Sequence, residues 1–274
     1  MVEWAGTASW ETTVEISAED LNDLRRAKRL LQNTSFAARM SNAVGRPLEQ
    51  LTASLPRGVT DTILTAINKA LETSLNVAIR SLGERRGKRA NAIHKLAVGA
   101  SGAIGGAFGL PAVALELPAS TTLMLRSIAE IARSEGESLE SAEARLACLQ
   151  VFALGGPADQ DDALDTSYFA VRAAMATTLE EAARYVTTHG MASRGAPVLV
   201  RLLTQISTRF GVPVSQKLVA QTVPVIGAAG GAALNVIFLA TFQDLARGHF
   251  IVRRLERTYG PETVRTVYST LQVD

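Results

Sequence analysis

The sequence predicts an all-α protein, a single helical domain of about nine or ten helices. Three observations carry that expectation. Apolar residues recur at three- and four-residue spacing over long segments, and no run of strict two-residue alternation marks a strand. Hydrophobic residues make up 47% but aromatics only 5%, so the apolar mass is mostly Ala, Val, Leu and Ile, which suits close helix-on-helix packing. Helix caps and Gly or Pro stops fall between the periodic segments.

In chain order, residues 1–17 read as a tail. Ser17-Ala-Glu-Asp20 reads as an N-cap with an acidic first turn. A helix is expected from there to about Ala43, with Leu21, Leu24, Leu31 and Ala38 on one face and Arg25, Arg26, Lys28 and Arg29 covering the rest. Thr60-Asp61 caps the next helix, through Leu82, whose Ile63, Ile67, Leu71, Leu75 and Ile79 form an amphipathic face. The basic run Glu84-Arg-Arg-Gly-Lys-Arg89 follows. Pro111 and Pro118 punctuate the chain until helix resumes near Thr121-Thr122, with Leu123, Ile128 and Ile131 inward, and ends at Gly136. Ser138 starts a helix bearing Leu146, Leu149 and Phe152. Gly155-Gly156-Pro157 then marks the best internal boundary, giving halves 18–157 and 158–274. Tyr168 to Thr188 and Val198 to Phe210 are expected helices, the second stopped at Gly211-Val-Pro213. A long helix from Leu234 to Tyr259 ends at Gly260-Pro261, and Glu262 to Leu271 closes the chain.

Two stretches stand apart. Twenty residues without an ionisable side chain lie between Lys95 and Glu116, and a similar stretch runs between Lys217 and Asp244. Gly102-Ala-Ile-Gly-Gly-Ala107 in the first reappears 125 positions later as Gly227-Ala-Ala-Gly-Gly-Ala232. From the first glycine to the glycine that ends the following helix is 34 positions in one case and 33 in the other, the pattern of an internal duplication. Gly102, Gly105, Gly106, Gly109, Gly227, Gly230 and Gly231 include pairs four apart that strip bulk from one helix face, so that another backbone can come close. Each stretch has the length of a bilayer span, about 20 residues. Their Pro, Gly and polar residues favour buried core helices instead.

Several function classes fall away. Net charge is +2, which gives no field to steer nucleic acid. Cys148 is the only cysteine, so no intrachain disulfide forms, and a cytoplasmic setting is expected. The N-terminus has neither the basic nor the apolar region of a cleaved signal peptide. Gly99-Ala-Ser-Gly-Ala-Ile-Gly105 imitates a dinucleotide-binding loop. It lacks a preceding strand and a following acidic residue at ribose distance, and Tyr168-Phe-Ala-Val-Arg172 is not Tyr-x-x-x-Lys. Ser101 lacks the second glycine of a nucleophile elbow. His94, His189 and His249 are too scattered for a metal motif, and no cofactor or metal is expected.

The candidate polar or ligand site comprises Glu116, Thr121, Asn235, Asp244, His249 and Glu256. Asn235, Phe242, His249 and Glu256 share one helix face at seven-residue spacing. A structural hydrogen bond or salt bridge between helix ends explains these residues as well as a site does. A buried Glu116 would need a partner or would hold a proton.

Gly102-Ala-Ile-Gly-Gly-Ala-Phe-Gly-Leu-Pro, Glu116-Leu-Pro, Ile128-Ala-Glu-Ile-Ala-Arg-Ser-Glu-Gly136, Pro224 to Asn235, Phe242-Gln-Asp-Leu-Ala-Arg-Gly-His-Phe250 and Arg253 to Gly260 together resemble the EcsC protein family, over roughly residues 20 to 268. The family takes its name from a protein encoded beside a bacterial ABC transporter, and no catalytic residues carry over. The first reading is a non-enzymatic bacterial protein of the cytoplasm. Its partner would be the inner membrane or a membrane transporter complex, met through the glycine stretches and through Lys/Arg at Arg85 to Lys95 and Arg247 to Arg257. The alternative is a soluble, peptidase-like hydrolase using Glu116, Asp244 and His249, which requires those side chains to converge on one pocket.

Overall fold

A computed structural model of the chain describes residues 15–32, 39, 41–42, 57–82, 109–156, 164–189, 196–221 and 227–273. Of residues 57–61, 79, 81, 109–116, 164–166, 221 and 227–233 the backbone alone is described. The described residues hold eight helices and no strand: α1 (Ala18–Gln32), α2 (Arg57–Ser81), α3 (Gly109–Ser134), α4 (Ala142–Leu154), α5 (Leu164–His189), α6 (Pro197–Gln221), α7 (Gly227–Tyr259) and α8 (Pro261–Thr270).

The predicted face of α2 is buried at Ile63, Ile67, Leu71 and Leu75. Ser17 caps α1 as expected, its Oγ accepting from the Asp20 N–H at 3.1 Å. Elsewhere the boundaries move. Helix α2 begins at Arg57, ahead of Thr60. The cap of α4 is Ser141 rather than Ser138, and it accepts from the Ala144 N–H. Lys28 is not on the solvent face. It is buried, and its Nζ donates to the carbonyls of Tyr268 and Leu271 at 2.8 and 2.6 Å, capping α8.

Two expected stops are not stops. Helix α3 starts at Gly109 and passes through Pro118, and α6 passes through Gly211 and Pro213 to Gln221. A proline inside a helix costs about 3 kcal/mol. Burial on both sides of each proline outweighs it: Leu117, Met124 and Leu125 in α3, Phe210, Val214 and Val219 in α6. Merging segments across these prolines gives fewer, longer helices over the described residues than the sequence suggested there. Because Gly211 lies inside a helix, it does not end one as Gly83 was expected to in the first half. Gly136 and Gly260 do match each other, both following a helix with positive φ, 79° and 84°. Gly102, Gly105 and Gly106 lie outside the described residues. Gly109 opens α3, and Gly227, Gly230 and Gly231 form the first turns of α7.

Helices α3 and α7 run side by side in one direction. The Gln243 Nε2 donates to the Ser127 Oγ at 2.7 Å, and Arg254 reaches Glu135 at 3.0 Å further on. Helix α6 runs against α7, with the Lys217 Nζ 5.1 Å from the Phe238 ring centre. Helix α1 also runs against α7: Asp20 and Asp23 at its start meet Arg254, and Leu31 near its end meets Gly248. Helix α4 sits in the middle, buried on nearly every side, as its all-round apolar sequence requires. Its Phe152 packs on Phe210 and Phe242, and Phe238 completes the cluster. Cys148 is fully buried here, which pushes its thiol up to about 12.

One continuous hydrophobic cluster draws on α2 to α7, and so on residues either side of Gly155-Gly156. That turn is packed into the core. A Cβ on Gly155 would stand 2.8 Å from the Phe242 ring. Gly248 is tighter where α1 crosses α7: a Cβ there would lie 2.7 Å from Leu31 Cγ and 3.0 Å from the Ala27 carbonyl oxygen. Gly248→Ala is therefore expected to destabilise by about 1–2 kcal/mol, overpacking outweighing the better helix propensity of alanine. Urea unfolding checks this; a variant more stable than the parent would show that α1 moves aside freely.

Candidate functional site

The sequence-predicted residues separate into two groups. The seven-residue face of α7 delivers His249 and Glu256 to α5, where Tyr168 and Arg172 stand one turn apart. The Arg172 guanidinium binds Glu256 through two parallel hydrogen bonds, Nη1 to Oε1 at 2.7 Å and Nη2 to Oε2 at 2.8 Å. Its Nη1 also donates to the Tyr168 Oη at 3.4 Å, and its plane lies 5.4 Å from the Tyr168 ring centre. The Tyr168 Oη lies 3.0 Å from His249 Nδ1. Arginine has only protons to give, so we assign the Tyr168 proton to Nδ1 and the imidazole proton to Nε2. Nε2 is buried and has no hydrogen-bond partner among the described residues.

The electrostatics follow from this packing. Burial, with Arg172 and Arg253 nearby, holds His249 well below its ordinary range, so it is neutral. Burial pushes the Tyr168 hydroxyl up to about 12. Burial alone would pull Arg172 down, but Tyr168 and Glu256 together hold it above its ordinary value.

The remaining candidates lie elsewhere. Asp244 accepts from Arg39 and from Arg247, each at 3.0 Å. Five residues from His249, it points some 140° around the helix from it. Thr121 is buried and donates to the Leu117 carbonyl at 2.7 Å. Asn235 has a buried Oδ1 with no partner among the described residues, as does Thr241 with its Oγ1. The backbone of Glu116 lies in α3, and its side chain is outside the described residues. His249 thus takes a tyrosine, not Asp244, as its partner, and a fully buried neutral imidazole has no open side from which to activate water.

The arginines late in α7 are committed inside the molecule. Gly136 turns the chain in a left-handed conformation after α3, with the Glu137 N–H on the Ala132 carbonyl and the Gly136 N–H on that of Arg133. This aims Glu137, whose side chain is 6% exposed, at Arg253 and Arg257. Arg253 also reaches Glu143, and Arg254 gathers Asp20, Asp23 and Glu135. Asp20 is held below its ordinary value by a hydrogen bond from the Tyr259 hydroxyl and by Arg254 and Ser17, against the opposing effect of burial. Three of the four arginines expected to face anionic headgroups therefore bind α1, the turn after α3 and the start of α4. The other expected basic segment, Arg85 to Lys95, lies outside the described residues.

Among the described residues no group of three His, Cys, Asp or Glu side chains could hold a metal ion, and no helix is long and apolar enough to cross a membrane. The family model of the EcsC protein family matches residues 18–255. The chain belongs to the EcsC protein family. That span contains α1 to α6, Arg172, His249 and all but the last turn of α7. Searches of curated proteins and of solved structures found no match.

Proposed function

We propose that this EcsC-family protein is a non-enzymatic bacterial protein that attaches from the cytoplasmic side to the inner membrane or to a transporter complex within it, through the uncharged first half of α7. The observation that carries the reading is the exposure of Val236 and Leu239. They lie one turn apart, 66% and 36% exposed, in a helix with no ionisable residue from Gly227 to Gln243. Leu64 and Val200 are exposed too, each on a different helix, and single exposed apolar residues are ordinary for a surface. An adjacent pair on an uncharged helix is the geometry of an interfacial contact. The glycines at 227, 230 and 231 fit the same end, since they let a bilayer or a partner helix approach the backbone. The committed arginines favour an attachment that is apolar at its centre.

The test is fractionation of cells carrying the full chain. The protein is expected in the membrane pellet, resistant to a high-salt wash and released by detergent. Val236→Ser with Leu239→Ser is expected to move most of it to the supernatant while its helical circular dichroism is unchanged. Full recovery of the parent protein in the supernatant at low salt would sink the reading.

A further inference from the structure

We infer that the outer face of α7 continues from its apolar half into a recognition surface for anionic phospholipid headgroups, built on Arg39, Asp244 and Arg247. This rests on the membrane reading above and adds to it the lipid class. The geometry is that of one helix face. Val236 and Arg247 are eleven residues apart, which returns to within about 20° of the same direction, about 16 Å along the axis. A tilted α7 that sinks Val236 and Leu239 below the headgroups therefore brings Arg247 against the phosphates, with a long side chain able to reach down to them.

Charge complementarity supplies the class of occupant. Asp244 is shared by two guanidiniums, Arg39 and Arg247, each at 3.0 Å, so the group carries one net positive charge. Both arginines keep more than a third of their side chains exposed, 36% and 39%, while Asp244 is 21% exposed beneath them. The cations thus stand outermost. The arrangement contrasts with Arg253 and Arg254 further along α7, which lie 15% and 30% exposed and face two or three carboxylates each. A phosphate oxygen can take the outer N–H groups of Arg39 and Arg247 while Asp244 holds the inner ones, so the carboxylate positions the pair.

The experiment is co-sedimentation of the full chain with vesicles of pure phosphatidylcholine and with vesicles containing phosphatidylglycerol, at low and high salt. The parent protein is expected to bind the anionic vesicles at least fivefold tighter at low salt and to lose that advantage at high salt. Arg39→Gln with Arg247→Gln should erase the preference, a loss of five- to thirtyfold, and leave binding to neutral vesicles as it was. Asp244→Asn keeps both arginines, adds a net positive charge, and should tighten anionic binding about fivefold. Equal binding of the parent to both vesicles overturns the headgroup surface and leaves the membrane reading standing, as does an Asp244→Asn protein that binds anionic vesicles no better. Loss of the arginine variant from neutral vesicles as well would mean that the pair is structural. No binding to either vesicle would overturn the membrane reading and this surface together.

Discussion

Glu256→Ala is expected to destabilise the protein by about 3 kcal/mol, the largest loss of any single substitution considered. The reason is what it leaves behind. Arg172 and Glu256 are only 20% and 13% exposed at their side chains, and the carboxylate takes both forks of the guanidinium. Removing it strands a cation against the Tyr168 and Phe169 rings, 5.4 and 5.9 Å away, with only a long hydrogen bond to the Tyr168 oxygen remaining. Breaking such a pair from one side typically costs about 3–5 kcal/mol, and partial exposure places this one at the lower end. For a chain of this size the melting midpoint should fall by roughly 6–10 °C. Replacing both members with leucine should cost far less, about 1 kcal/mol, because nothing charged is then left buried. A cycle built on Arg172→Leu, Glu256→Leu and the pair would therefore show a coupling above about 1.5 kcal/mol. Additive single and double losses, or a Glu256→Ala loss under about 1 kcal/mol, would mean that water reaches the pair and the ion bridge is dispensable.

How much of this was visible before folding differs between elements. The four-residue apolar spacing of α2 and the Gly-Pro stop after Tyr259 are local, and both were readable in one dimension. Pro118 and Pro213 misled because propensity is a local price, and whether burial exceeds it depends on helices far away in sequence. The site was half legible. Seven-residue spacing placed His249 and Glu256 on one face of α7, but Tyr168 and Arg172 entered only as a failed dehydrogenase motif. A signal for them existed. Tyr168, Val171, Arg172, Met175 and Leu179 repeat at three and four residues, so an arginine stands in an apolar stripe and must find an acid across the fold. Which acid it finds, 84 positions on, is set by how α5 packs and is absent from any local pattern. The same holds for Glu135 and Glu137. Their spacing about Gly136 is plain, but only the left-handed turn shows that they face α7.

Acid should weaken the fold earlier than carboxylates alone would, and His249 is the reason. Its imidazole is fully buried, with Tyr168 on Nδ1, Arg172 and Arg253 disfavouring a second cation, and Glu256 already committed to Arg172. Tyr268, which stacks on Tyr168, and Lys28 above it add no acid from the α8 and α1 sides. The folded-state pKa therefore lies well below the 6.5 of the unfolded chain. The sign follows: this histidine's contribution is fully present above pH 6.5. It is lost as pH falls below that value, because the unfolded chain binds a proton that the folded one refuses. Each unit costs at most about 1.4 kcal/mol, so stability should fall progressively as pH drops from 6.5 toward 4.5, before Asp20, whose carboxyl is held below its ordinary value, begins to protonate. Urea midpoints across that range measure it. His249→Gln is expected to lower stability at pH 7, where it disturbs a packed contact, yet to flatten the slope between pH 6.5 and 4.5. The two effects separate the roles of the side chain, since lost packing shifts the whole curve and lost titration changes its slope. A variant that keeps the parent's slope would show that the acid sensitivity belongs to other groups and that His249 accepts a proton in place. Loosening the surroundings gives a further check. In Tyr168→Phe the ring and its stacking remain and only the hydroxyl on Nδ1 is lost, so the slope should persist. A neutral imidazole owes its state to burial and to the two arginines more than to its one hydrogen bond.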